Sequence, residues 1–180
     1  MKATGIVRKI DELGRVVIPK EIRRTYRIKV GDPLEIFTDR DGVIVFKKYS
    51  PIAELSNYAT EYANAIKDAL SCEVYICDKD TILAGTCSKN SIYNNAYISK
   101  ELIGKIEARE IIVASEGEAV EVIDREDISG IVGQIVCPVV LEGDTIGAIV
   151  LISREKSFDE ADAKVVKTVA LLLEKQMECY

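Results

Sequence analysis

The sequence predicts a two-domain protein: a small β-rich head over residues 1–50 with one short helix, and an α+β body over residues 51–180 built on an antiparallel sheet. Three observations lead there. The 180 residues are 48% hydrophobic and 30% charged, a globular composition long enough for one or two cores. Charge is divided unevenly, with 12 Lys+Arg against 7 Asp+Glu in residues 1–50 and 12 against 23 in the rest. The hydrophobic pattern also changes at Tyr49-Ser50-Pro51, from short alternating runs broken by turn residues to helical periodicity.

In the head, Thr4 to Ile10 reads as a strand with Ile6, Arg8 and Ile10 on one face and Val7 and Lys9 on the other. Glu12-Leu13-Gly14 supplies a turn, and Arg15 to Ile18 a second strand. Pro19 lacks an N–H and suits the start of a helix, expected from Lys20 to about Arg27 with Ile22 and Tyr26 inward. A turn at Val30-Gly31-Asp32-Pro33 precedes a hairpin, Leu34 to Thr38 and Val43 to Lys48, closed by Asp39-Arg40-Asp41-Gly42. Val16, Val17, Ile18, Leu34, Ile36, Val43 and Val45 are the expected core. A unit this small, with neither disulfide pair nor metal ligands, is expected to be an obligate homodimer through residues 1–50.

In the body, Ile52, Leu55, Ala59, Tyr62, Ile66 and Ala69 recur at helical spacing, a seam suited to a sheet or to a second subunit's helix. Glu73 to Cys77 and Thr81 to Ala84 read as a hairpin around Asp78-Lys79-Asp80. Ser99 to about Ala108 is a helix with Leu102, Ile103 and Ile106 inward, and a strand is expected near Ala119 to Ile123. Ile131 to Leu141 and Thr145 to Ser153 pair around Glu142-Gly143-Asp144. A closing helix from Phe158 to about Glu178 carries Ala161, Val165, Val169 and Leu172. The order α-β-β-α-β-β-β-α describes a central antiparallel sheet with helices packed on it.

Composition also excludes chemistry. There is no histidine, which removes Ser-His-Asp and Cys-His catalysis. Cys72, Cys77, Cys87, Cys137 and Cys179 show no C-x-x-C and no zinc-ligand spacing, so buried reduced thiols are expected, at least at Cys77 and Cys137. The G-x-x-G at Gly130 to Gly133 has no following helix and no phosphate-loop lysine, and carries no nucleotide meaning. Apolar runs fall short of the roughly 20 residues that span a bilayer, and the first residues lack a signal-peptide h-region. A cytoplasmic protein with no membrane partner, no metal and no catalytic site is expected.

The stretch TGIVRKIDELGRVVIPKEIRRTYRIKVGDPLEIF, with the hairpin ending VIVFKKY, closely resembles the AbrB-type DNA-binding domain of transition-state regulators. The match runs from about Lys2 to Tyr49, with Tyr26 where leucine is common. It implies a swapped-hairpin fold in which two chains interleave strands into one barrel, with double-stranded DNA as partner. Its DNA contacts match Arg8, Arg15, Arg23 and Arg24; Lys2, Lys9, Lys20 and Arg27 are added as phosphate contacts from charge and proximity. Residues 51–180 resemble a GAF domain, a more variable pattern. It implies assembly through terminal helices, here residues 52–69 and 158–178 and hence a tetramer, and it allows for an unidentified small-molecule ligand. The segment Gly85 to Tyr97 is a candidate lining for a pocket, although a surface loop is the favoured reading. Together the two domains resemble a family of regulators of spore development.

Cations that neutralise phosphates release condensed counterions, which makes binding salt-dependent. Arginine's planar fork suits phosphate oxygens and guanine edges alike. A two-turn helix is short for deep groove reading, so backbone contacts and shape readout are expected to dominate. Two other functions compete. An antitoxin would use the same DNA-binding fold, with a short disordered tail for its toxin. A GAF-type methionine sulfoxide reductase would use Cys72, Cys77 and Cys87.

Overall fold

The structure is a computed structural model that describes residues 4–54, 56–87, 93 and 96–177. The chain divides into two compact units, Met1–Tyr49 and Ser50–Tyr180.

The first unit holds helix α1 (Lys20–Thr25) and a hairpin of β1 (Leu34–Thr38) and β2 (Ile44–Lys48). The strands pair antiparallel from Leu34↔Lys48 to Thr38↔Ile44. Gly42 closes the turn at φ 74°, donating its N–H to the Asp39 carbonyl at 3.1 Å. Pro19 flanks α1 rather than opening it, and α1 ends at Thr25, earlier than expected. Residues 4–10 and 15–18 are not strands, because among the described residues this chain offers them no strand to pair with. The expected core is correspondingly open. Ile18, Leu34 and Val43 are half-buried, whereas Val16, Val17, Ile36, Val45 and Tyr26 are exposed.

The second unit is built on an antiparallel five-stranded sheet of order β4-β3-β7-β6-β5. Its strands are β3 (Glu73–Asp78), β4 (Ile82–Gly85), β5 (Ile112–Ser115), β6 (Gly133–Leu141) and β7 (Asp144–Ser153). Helices α2 (Pro51–Glu54), α3 (Ser56–Leu70) and α5 (Glu160–Met177) contribute to the core on one face. Helix α4 (Lys100–Glu107) and the segments around Ile98 and Val122 cover the other. Side chains alternate between the faces: Val74, Ile76, Ile149 and Leu151 meet Ile66, Val166 and Leu173, while Tyr75, Val150 and Ile152 meet Ile82, Ile98, Leu102 and Val122. The central strands are thus apolar on both sides.

Local signals account for several elements. Ser99 caps α4, its Oγ accepting the Leu102 N–H at 3.0 Å. The β6–β7 turn places Glu142 at φ 51° and Gly143 at φ 87°, the left-handed pair that a two-residue hairpin requires. Gly147 lies where β7 passes β3, and a Cβ there would run into the Cys77 carbonyl.

Two expectations for this unit are corrected, and one open alternative is decided. The strand beside β6 is β5, whereas 119–123 is a loop. There the buried Gln134 side chain stands in for a strand partner: its Oε1 accepts the Val120 N–H at 2.9 Å and its Nε2 donates to the Val120 carbonyl at 2.8 Å. Helix α5 turns Val166, Ala170 and Leu173 inward and leaves Val165 and Leu172 40% and 50% exposed. The residue 52–69 seam packs inside its own unit at Ile52, Ala59 and Ile66, with Ala69 exposed; Leu55 lies outside the described residues.

Candidate nucleic-acid interface

The basic residues of the head are set on a turn and a helix, each with its own fastening. Asp11 organises the turn. Its Oδ1 accepts the N–H groups of Leu13 (3.0 Å) and Arg15 (2.8 Å), and its Oδ2 accepts Arg15 Nε at 2.8 Å. The Arg15 backbone N–H, then its guanidinium, hold the Asp11 carboxyl below its ordinary range. Gly14, at φ 75°, donates its N–H to the Asp11 carbonyl. The Leu13-Gly14-Arg15 turn is therefore an Asx-type structure that presents an exposed arginine beside a carboxylate with which a phosphate would compete.

On α1, Lys20, Arg23 and Arg24 stand at i, i+3 and i+4 and so share one face. Lys20 and Arg24 are exposed and Arg23 is half-buried. The helix closes through two reversed bonds, Ile28 N–H to the Arg23 carbonyl at 2.8 Å and Arg27 N–H to the Arg24 carbonyl at 3.4 Å. These are the two bonds of a Schellman motif. Arg27 takes its left-handed position at φ 51°, where a side chain costs on the order of 1 kcal/mol. Lys48 at the end of β2 reaches back to it, Nζ donating to the Arg27 carbonyl at 3.2 Å and pairing with Asp32 at 3.1 Å. Asp32 also accepts the Lys29 N–H at 2.8 Å. Burial alone would raise its carboxyl, but the Lys29 N–H and the Lys48 ammonium hold it below its ordinary range.

Arg8 and Lys9 are exposed on the segment before the turn, and Lys2 lies outside the described residues. Sequence reasoning missed Asp11, Asp32 and Lys48. Their signals were modest: an aspartate two residues before the Leu13 N–H it binds, and another between Gly31 and Pro33.

In the second unit, the sheet face under α4 is filled by side chains. Tyr93 lies against Tyr75 with ring centroids 4.9 Å apart, and its hydroxyl donates to Glu126 at 2.7 Å. Cys87 is buried in the same cluster. The 85–97 segment is thus not simply a surface loop, although residues 88–92, 94 and 95 lie outside the described residues. Cys72 packs on the opposite face from Cys77 and Cys87. Burial pushes the Cys72 thiol up to about 11 and that of Cys77 to about 12, which favours the unreactive protonated form. Cys137 is buried too, and Cys179 lies outside the described residues. Among the described residues, no group of ligands is arranged to hold a metal ion, and no helix is long and apolar enough to cross a membrane.

A small basic head with a fastened turn and helix, followed by an acidic α+β body, defines a two-domain nucleic-acid-binding regulator. Relatives agree. The family model for the stage V sporulation protein T C-terminal region, a transcription factor, matches residues 54–178. One for antidote-toxin recognition MazE, a bacterial antitoxin, matches residues 7–53. Stage V sporulation protein T of Bacillus subtilis (strain 168) is 49% identical over 181 residues, 99% of each chain. The transition state regulatory protein AbrB of the same strain is 65% identical over 51 residues, which is 28% of this chain and 52% of AbrB. The cofactor binding GAF domain of the nutrient sensor CodY from Clostridium difficile aligns with a TM-score of 0.54 at 20% identity, over 66% of this chain and 83% of that one, a likeness of fold. The chain belongs to the stage V sporulation protein T family of transcription factors: it is a transcriptional regulator of sporulation that joins an AbrB-type DNA-binding domain to a GAF-like body.

Proposed function

We propose that the heads of two chains, each ending near residue 50, interlock as an obligate dimer that binds double-stranded DNA. Arg8, Arg15, Arg23 and Arg24 are its principal contacts, and Lys2, Lys9, Lys20 and Arg27 add phosphate contacts. The observation that carries this reading is the coincidence of bare apolar side chains with the basic ones. Val7 is 85% and Val17 71% exposed, interleaved with Arg8, Lys9 and Arg15. Apolar surface left open on such a scale calls for a partner, and segments 4–10 and 15–18, which join no strand among the described residues, leave room for strand pairing with it. The two-fold copy doubles the arginines and adds avidity.

Arg23→Ala and Arg24→Ala test the interface. Each is expected to weaken binding to duplex DNA and to flatten the plot of log K against log salt by roughly 0.9 for every phosphate that is no longer neutralised. If both plots keep the wild-type slope, this basic face is not the interface.

The body joins two such dimers into a tetramer. The exposed stripe of Val165, Leu171 and Leu172 on α5 supports this, and a native mass showing only smaller species sinks it. The GAF-like fold supports an unidentified small-molecule ligand, and the function in transcription supports a cytoplasmic, nucleoid-associated location. A toxin-binding role for the region after the head is disfavoured, because that region is a folded α+β unit rather than a short tail. A cysteine-dependent reductase is disfavoured by the burial of Cys72, Cys77 and Cys87 on opposite faces of the sheet. Cys→Ser changes that leave DNA binding intact would agree.

A further inference from the structure

Lys48 sits in a basic head and would by charge alone be counted among the phosphate contacts. Its surroundings point elsewhere. The side chain is half-buried, ion-paired to Asp32 at 3.1 Å and bonded to the Arg27 carbonyl at 3.2 Å. Asp32 in turn ties down the Lys29 N–H at 2.8 Å. One ammonium and one carboxylate thus connect the end of β2, the 29–32 turn and the residue that closes α1.

What they connect to matters for DNA. The closing turn runs through the carbonyls of Arg23 and Arg24, which accept from Ile28 and Arg27. Arg27 holds this closure in a left-handed conformation that side chains disfavour. Two consecutive arginines on a helix of six residues have little helix to fix their direction, so the terminus that holds their backbone sets where both point. We propose that Lys48 and Asp32 are positioning residues for DNA binding, holding the end of α1 so that Arg23 and Arg24 meet the duplex together, and that Lys48 is not itself a phosphate contact. This rests on the reading of α1 as DNA-facing.

Substitution at Asp32 separates this role from simple electrostatics, because the two predict opposite signs. Removing a negative charge beside a polyanion site should tighten binding if only charge matters. In the clamp, Asp32→Asn releases Lys48 and the Lys29 turn, and binding to a mixed-sequence duplex of about 40 base pairs should weaken about tenfold, the scale of a charged hydrogen bond. Lys48→Met in the full chain should weaken binding similarly, and in a chain that already carries Arg23→Ala and Arg24→Ala it should change neither the affinity nor the log K against log salt slope any further. Lys48→Arg should restore most of the affinity.

Tighter binding by Asp32→Asn overturns the proposal, as does a slope that Lys48→Met makes shallower by about 0.9, the value of one neutralised phosphate, in the chain already lacking both arginines. Circular dichroism checks that each variant is folded, and if Asp32→Asn is not, Lys48→Met in the chain lacking both arginines decides alone. Arg24→Ala run alongside keeps the two readings apart. If its slope is unchanged the DNA face itself is misassigned, whereas a flattened Arg24→Ala slope with tighter Asp32→Asn binding rejects only the clamp.

Discussion

Ile149 and Ile44 both lie in β-strands of this chain, yet the first is 0% exposed and the second 58%. The difference belongs to the units that hold them. In the body, β7 sits between β3 and β6 with helices and loops on both faces, so each strand residue meets a neighbour within the chain. In the head, a single hairpin and a six-residue helix cannot enclose each other's apolar sides. Composition is similar in kind; the number of layers is not. A unit with two covered faces is self-sufficient, and one with a lone hairpin leaves apolar surface open, as the proposed dimer requires.

The sharpest way to break that contrast is to separate the units. Residues 50–180 alone are expected to stay folded and to unfold cooperatively even at concentrations where they are monomeric. Residues 1–50 alone should fold only as a dimer, so that their melting point rises with concentration and their helical and strand signal vanishes on dilution. A head that melts at one temperature at every concentration would remove the distinction.

A smaller effect is expected at Gly147. Alanine there meets the Cys77 carbonyl on the adjacent strand, where neither backbone can give way. The body should lose about 3 kcal/mol, read from urea denaturation, with DNA binding by the head unchanged in chains that remain folded.

The smallest effect should come from alkali. Burial raises Cys72 and Cys137 to about 11 and Cys77 to about 12, from a thiol value of 9.0. The native body therefore keeps protons that the unfolded chain gives up. Its stability is fully present below pH 9 and falls as pH rises through about 11 and 12. The urea midpoint of the body should decline across that window, and a Cys77→Ala variant should decline less.

Legibility in the sequence followed the range of the interactions. The β1–β2 hairpin, the α4 cap at Ser99 and the β6–β7 turn were readable because each is determined by residues within a few positions. The phase of α5 was not. Ala161, Val165, Val169 and Leu172 form one apolar stripe, while Val166, Ala170 and Leu173 form another beside it. Only the sheet beneath decides which is inward. The 119–123 segment misled for a related reason, since its backbone bonds to a side chain, Gln134, rather than to a strand.

The candidate interface divides in the same way. The arginines at 8, 15, 23 and 24, the contacts proposed for DNA, stood out in the sequence as a motif, because such contacts call for that residue type at the surface of a fixed scaffold. What holds them was hidden. Asp11 lies four residues from Arg15, within reach of sequence reasoning, but Lys48 reaches Arg27 across 21 positions. By itself, the sequence determined the two-domain division, the turns and caps, the basic charge of the head and the absence of histidine chemistry, since each follows from composition or from neighbours along the chain. Tertiary structure alone decided which stripe of α5 is buried, which thiols lie on opposite faces and how the end of α1 is tied, because those depend on groups that folding brings together from distant positions.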